Sequence, residues 1–534
     1  MTGSSENTET TAPAPADAAV ETAASCHGDK QALRAAAAAA GNVEVMEQFA
    51  KDYPQGPHDQ PQSMCPAFGS LRVGLRMRRT ATILSGSACC VYGLTFTSHF
   101  YGAKRSVGYV PFNSETLVTG QLYEDIRDAA AEMADPEHYD VVVVTNLCVP
   151  TASGIPLDRL PEQINGVRII GINVPGFGVP THAEAKDVLS GAMLKRAREE
   201  AEAGPVARPR AAETGLPTIS LIGELFPADP VGISAMLQPL ELSVAPQIPS
   251  REWRDLYAAL DSSVACAVHP FYTATVREFQ RAGRPVVGSG PVGVDGTAAW
   301  LDAVGKAANV SEKKIDAAKA AATGAIRAAL LENQTNATIT VSGYEGSELL
   351  VARLLIESGA RVPYVGTACP KSEWSDPDRE WLEAHGAHVQ YRASLEDDVH
   401  AMKDIRPDLA LGTTPLVQAA KELAIPSIYF TNMVSARPLF GAAGAGSMAA
   451  IVRAQTQGKE RFQNMRDFFG EIGTGNTTGY GWSDSRIARA ASEKAEKAAK
   501  AAAAAKSGKK TPAAVAEKVD RPVKEDTLAN AIGN

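Results

Sequence analysis

Three of the seven cysteines in this 534-residue chain stand where neither packing nor turn chemistry asks for a thiol. Cys65 lies in "SMCPAFG", just ahead of an apolar β-branched run, "TATILSG" (80–86). Cys90 lies in "SACCVYG", a few residues beyond that run, and Cys148 follows a second run, "DVVVVTN" (140–146), by two residues. If the two runs are neighbouring strands, Cys90 and Cys148 emerge on one rim, and the Pro/Gly-interrupted segment around Cys65 can fold back over it. Three converging thiolates are soft donors that select an iron–sulfur cluster, zinc or copper(I). Zinc is the weaker match, because the chain has no CxxC and "HGAH" (His385, His388) lies far away and reads as a surface turn. Adjacent residues of an extended segment face opposite ways, so only one of Cys89 and Cys90 should aim at the rim. Cys266, inside "SVACAV", reads as a core thiol; Cys369, in "GTACPKSEW", reads as structural or exposed; Cys26 sits in a low-complexity arm and makes a poor ligand.

Positioning such a rim requires parallel strands, and the chain supplies them in three series. The first is 80–86, 140–146 and 168–174; the second is 218–223, 242–247, 263–268 and 285–288; the third is 337–342, 361–366, 387–391, 408–412 and 425–430. Amphipathic helices are expected between them at 118–134, 272–282, 345–358 and 414–423. Continuous apolar strands separated by helices predict βαβ units, with parallel sheets covered on both faces. The expected class is α/β, with three Rossmann-like parallel-sheet domains. Their boundaries are expected at 61–205, 217–334 (closing on a bridging helix, 311–334) and 335–485. A disordered arm is expected over 1–60 and an Ala/Lys-rich tail over 486–534. In open α/β sheets ligands sit at the carboxyl ends of strands, which is where the thiols fall.

The remaining composition narrows the function classes. A formal charge of −9 and no basic stripe interleaved with aromatics argue against a nucleic-acid partner. No apolar run reaches the length of a membrane span. The N-terminus lacks a basic and an apolar leader region, so a reducing, cytoplasmic setting is expected, in which thiols ligate or react more often than they form disulfides. "GSGPVG" (288–293) formally matches GxGxxG, but Pro291 interrupts it and no suitable acid follows; a glycine turn is the better reading. No GxxxxGK[ST] occurs, so any ATP hydrolysis must fall to another polypeptide.

The order "SMCPAFGSLRVGLRMRRTATILSGSACCVYGLTFTSHFYG", "VPFNSETLVTGQLYEDI", "VVVVTNLCVP" resembles the nitrogenase-like oxidoreductases, in particular their pigment-reducing members. The likeness spans residues 60–470 and includes "GPVGVDGTAAWL" and "YFTNMVSARPLFG". It implies the α-type subunit of a catalytic component, paired with a homologous Z subunit as a heterotetramer of two of each. It further implies a [4Fe–4S] cluster held by Cys65, Cys90 and Cys148, with the fourth ligand from the partner. The family pattern of Cys, a small residue and Tyr favours Cys90 over Cys89. The implied reaction is a two-electron, two-proton reduction of the C7=C8 double bond in ring B of chlorophyllide a. An ATP-hydrolysing X subunit would supply the electrons, drawing them from ferredoxin. A related reductase acting on ring D of protochlorophyllide is the neighbouring alternative. A cofactor-assembly scaffold and a plain ligand-binding protein with core cysteines are the others. A flat apolar pigment calls for apolar and aromatic walls, for which Phe68, Tyr92, Phe96 and Phe177 are candidates. His182, Glu224 and His269 lie near expected strand ends, but no proton donor is assigned.

Overall fold

A computed structural model describes residues 63–100, 107–208, 215–223 and 230–458. The arm over 1–60 with Cys26, the 486–534 tail, and Glu224 lie outside the described residues.

The first strands show how the sequence builds the fold. In β1 (Thr80–Ser85) and β3 (Val141–Asn146) every residue is buried, the signature of a sheet covered on both faces. Side chains alternate between the faces. Leu84, Val141 and Val143 enter a core that runs through all three sheets, while Ala81, Ile83, Val142 and Val144 enter a separate core beneath the first sheet alone. With β2 (Val107–Val110), β4 (Gln163–Ile164) and β5 (Val167–Asn173) they form a sheet of order β2-β1-β3-β5-β4, parallel except for the β4 edge.

A second, parallel sheet of order β7-β6-β8-β9 contains β6 (Thr218–Ile222), β7 (Ser243–Val244), β8 (Val264–Ala267) and β9 (Val286–Gly288). The third, also parallel, has order β12-β11-β10-β13-β14 and contains β10 (Thr338–Gly343), β11 (Arg361–Thr367), β12 (His388–Tyr391), β13 (Leu409–Gly412) and β14 (Ser427–Tyr429). Every expected strand is present. The two short strands that the pattern missed, β2 and β4, are edge strands, where burial on both faces does not write an apolar run.

Four helices place the thiols: α1 (Pro66–Arg76), α2 (Ala88–Phe100), α3 (Cys148–Ala152) and α4 (His182–Ala203). The single helix expected at 118–134 is two, Ser114–Thr119 and Gln121–Met133, because Gly120 takes a left-handed φ of 80° between them. Helix α4 has no clean apolar stripe because it is enclosed on several sides. It packs on α1 so closely that a Cβ on Gly69 would overlap the His182 carbonyl.

Polar contacts lock the three sheet regions together. Asp187 of α4 accepts the N–H groups of Ala274 (2.7 Å) and Thr275 (2.8 Å), capping helix Thr273–Arg281. Glu184 accepts both Nη1 (2.7 Å) and Nη2 (2.6 Å) of Arg392. Glu357 accepts the N–H groups of Val294 and Asp295 at the start of helix Gly293–Ala307.

Candidate iron–sulfur centre

Register brings the chemistry to one row. Ser85 of β1 pairs with Asn146 of β3, which pairs with Asn173 of β5, so three strands end level with one another. The segments that leave them carry Cys90, Cys148 and the turn at Pro175–Gly178 onto a single rim. Cys65 reaches the same rim as the N-cap of α1, with Pro66 in the helix's first turn. All three cysteines are exposed, and each lies at or just inside the N-terminus of a helix.

The sulfurs lie within one another's electrostatic field. Partial desolvation by the surrounding rim pushes the otherwise exposed Cys65 thiol up, the Ala67 N–H pulls it down, and the Cys148 charge raises it again. Burial also raises Cys90, followed by Cys89 and then by the charges of Cys65 and Cys148. The Sγ of Cys148 accepts the N–H of Gly176 at 3.2 Å. Among the described residues no group of three or more His, Cys, Asp or Glu side chains is close enough to hold a single metal ion. Three thiols on one rim whose charges act on one another are a donor set that a cationic iron–sulfur core would neutralise. Soft donors with backbone N–H groups on their sulfurs match the chemistry of an iron–sulfur cluster.

The structure corrects the reading of the adjacent pair. Cys89 and Cys90 lie in the first turn of α2, not in an extended segment, so their side chains diverge by about 100° around a helix. Cys90 is the one that feels Cys65 and Cys148. Cys89 bonds with Ser87 Oγ at 3.0 Å, and that bond, then one with Cys90, holds its thiol below the usual value. Cys266 and Cys369 are both buried, so neither reaches the rim.

The aromatic candidates separate. Phe68 is a core residue, 1% exposed, with its ring 6.3 Å from that of His182. Tyr92, Phe96 and Phe177 are 72%, 62% and 43% exposed, and the rings of Tyr92 and Phe96 stack at 6.4 Å. Val149, beside Cys148, and Tyr109 of β2 extend the apolar rim. Their exposure has no sequence signal of its own, since an interface strand end and a buried one are written in the same residues.

His182 and His269 lie in the seam between sheets, His182 against Ser63 and Phe68 on either side of Cys65. His182 is buried, bonds to Ser63 Oγ through Nδ1 at 3.1 Å, and lies 4.0 Å from the Glu345 carboxylate. Burial, then the charge of Lys186, holds its pKa well below the ordinary histidine value. His269 bonds to the Glu345 carbonyl. A cleft of about 780 Å³ opens at the opposite, amino-terminal end of the first sheet. Its charges are spent on one another: Arg78 on Glu252 (3.0 Å), Arg79 on Asp140 (2.8 Å) and Arg168 on Glu200 (2.7 Å). No helix among the described residues is long and apolar enough to cross a membrane.

Three sheets, parallel but for the β4 edge, with thiols at the head of the first, form the α/β frame of the site. Residues 65–455 match the family of nitrogenase component 1 type oxidoreductases, and the chain belongs to it. It is 65% identical to the chlorophyllide reductase 52.5 kDa chain of Cereibacter sphaeroides over 454 residues, covering 85% of this chain and 90% of that one. The chain of the same description from Rhodobacter capsulatus is 63% identical, with coverages of 86% and 92%. The light-independent protochlorophyllide reductase subunit N of Nephroselmis olivacea is 24% identical over 54% of this chain and 68% of its own length. The fold is shared with the solved nitrogenase Cp1 structure at pH 6.5, at a TM-score of 0.59 and 16% identity, covering 79% of this chain and 97% of that one.

Proposed function

We propose that this chain is the Y subunit of the catalytic component of a chlorophyllide a reductase, reducing the C7=C8 double bond of ring B in bacteriochlorophyll biosynthesis. One observation carries the reading: three thiols from separate segments meet on an exposed, apolar-edged rim at the head of a parallel sheet. Cys65, Cys90 and Cys148 would hold three corners of a [4Fe–4S] cluster, leaving the fourth to the Z subunit. The cluster would supply a low-potential one-electron relay between the electron donor and the pigment.

The chain's own residues do three things in this account. The helix N-termini and backbone N–H groups offset thiolate charge. Tyr92, Phe96, Val149 and Phe177 offer apolar area that a Z subunit and a flat pigment can cover, excluding water from the sulfurs. The interlocked sheets keep the rim rigid. ATP hydrolysis and ferredoxin oxidation belong to the X subunit, and the complex works in the cytoplasm. Segments 61–205, 217–334 and 335–485 are taken as the three structural units of the subunit.

The relatives at 65% and 63% identity support ring B over ring D, against 24% for the protochlorophyllide relative. Anaerobic co-expression with the Z subunit, followed by an ATP-dependent assay with X protein and chlorophyllide a, tests this. Loss of the C7=C8 bond, read from the pigment's absorption spectrum, is the expected result. An iron-free complex, or one that hands its cluster to an acceptor without changing pigment, contradicts it.

A further inference from the structure

The turn after β5 presents one main-chain donor to the thiols. The Pro175 carbonyl accepts the N–H groups of Gly178 at 3.0 Å and Val179 at 2.9 Å, and Val174 donates to the Asn146 carbonyl at 3.1 Å. The turn is thereby closed on itself and sewn to β3. The Gly176 N–H is left facing the Cys148 Sγ at 3.2 Å. A donor fixed by backbone geometry cannot swing away as a side chain can. A cluster sulfur that accepts an N–H bond carries less negative charge, which favours the state with one more electron.

We propose that Gly176 is a positioning residue whose main-chain N–H, bonded to the Cys148 sulfur, raises the reduction potential of the cluster. The inference rests on the ligand reading given above. It concerns the N–H and not the missing side chain. Gly176 is not among the glycines with positive φ, and a Cβ there would meet only the Cys148 Sγ at 3.7 Å, an ordinary contact. Alanine therefore fits and keeps the donor. Proline removes it; its fixed φ suits the second residue of a β-turn, while its ring carbon crowds the sulfur that the hydrogen faced. The residue before it is already a proline, which accepts the extended conformation that such a neighbour demands.

The test uses the full chain purified anaerobically with its Z subunit, with the midpoint potential read by EPR-monitored redox titration. Gly176→Pro replaces the hydrogen facing the Cys148 sulfur with a ring carbon, so its iron content is read first; protein that retains the cluster is expected to have a more negative potential, and Gly176→Ala the wild-type potential. A Gly176→Pro protein with full iron and the wild-type potential overturns the inference. A second measurement does not depend on that variant folding. With ¹⁵N-glycine incorporated, pulsed EPR of the reduced wild-type cluster should show a ¹⁵N coupling that Gly176→Ala abolishes. Its absence from the wild type, or its persistence in Gly176→Ala, overturns the inference equally. A wild-type complex without any cluster contradicts the ligand reading instead, so the two failures are distinguishable.

Discussion

The heads of the first and third sheets follow one architectural rule and end in opposite states. Beyond β1 and β3 the chain places exposed thiols and exposed aromatic rings. Beyond β10 it places Glu345, Gly346 and Glu348, and closes that head with its own groups. The buried Glu348 carboxylate accepts the N–H of Glu345 (2.7 Å), the N–H of Gly346 (3.0 Å) and the Thr367 hydroxyl (2.9 Å). Thr431 donates to Glu345 at 3.0 Å, and His182 and His269 come in from the other two sheets. Parallel strands thus create two heads of the same kind, one lined by polar groups of the chain itself and one left as an exposed rim of thiols and apolar side chains. The one finished internally is structural; the one left open is where the proposed cluster and partner subunit would sit.

Substitutions at the two heads should part company. Cys90→Ser or Cys148→Ser is expected to reduce bound iron to background and abolish pigment reduction. Cys266→Ser, a buried change in β8, should keep the iron and cost about 1–3 kcal/mol in thermal unfolding. Full iron in either rim variant breaks the comparison. At the closed head, Arg392→Ala leaves Glu184 without its charge partner and should destabilise the fold by about 3 kcal/mol in denaturant titration, yet spare the iron.

The pH dependence sharpens the contrast. Burial, opposed by its hydrogen bonds, raises Glu348 to about 7 from an ordinary 4.5, and likewise raises Asp187 to about 6 from 3.8. The native state then holds these protons more tightly than the unfolded chain. Their contribution to stability is full below the ordinary values and is lost as pH climbs through about 6 for Asp187 and about 7 for Glu348. Glu348→Gln should flatten that part of the stability–pH curve; an unchanged slope shows that the group does not titrate there. The smallest effect on the fold belongs to Tyr92→Ala with Phe96→Ala. Both side chains are exposed, so isolated-chain stability should move by no more than about 0.5 kcal/mol. Association with the Z subunit, read by sedimentation, should weaken by roughly 1 kcal/mol or more.

Much of this was legible in the residues. Doubly buried strands write uninterrupted runs such as "VVVV", and the carboxyl-end rule then placed Cys90 and Cys148 on one rim. Short edge strands and the enclosed helix α4 were not legible, since neither carries the periodicity of a half-buried element. The helical turn beneath Cys89 and Cys90 was also missed: "SACCVYG" has no capping box to announce a helix start. His182 and His269 lie near strand ends, which usually open to ligand, and the sequence assigns neither a proton-transfer role. Here the neighbouring sheet covers them, which local sequence does not encode.

The central claim is that three sulfurs of this chain, and no others, grip the cluster. The direct measurement is iron content with low-temperature EPR on anaerobically purified complexes in which Cys65, Cys89, Cys90 and Cys148 are replaced by serine one at a time. The account predicts a normal signal for Cys89→Ser and loss of the signal for the other three. A normal signal from Cys90→Ser with loss from Cys89→Ser, or from all four variants alike, would contradict it.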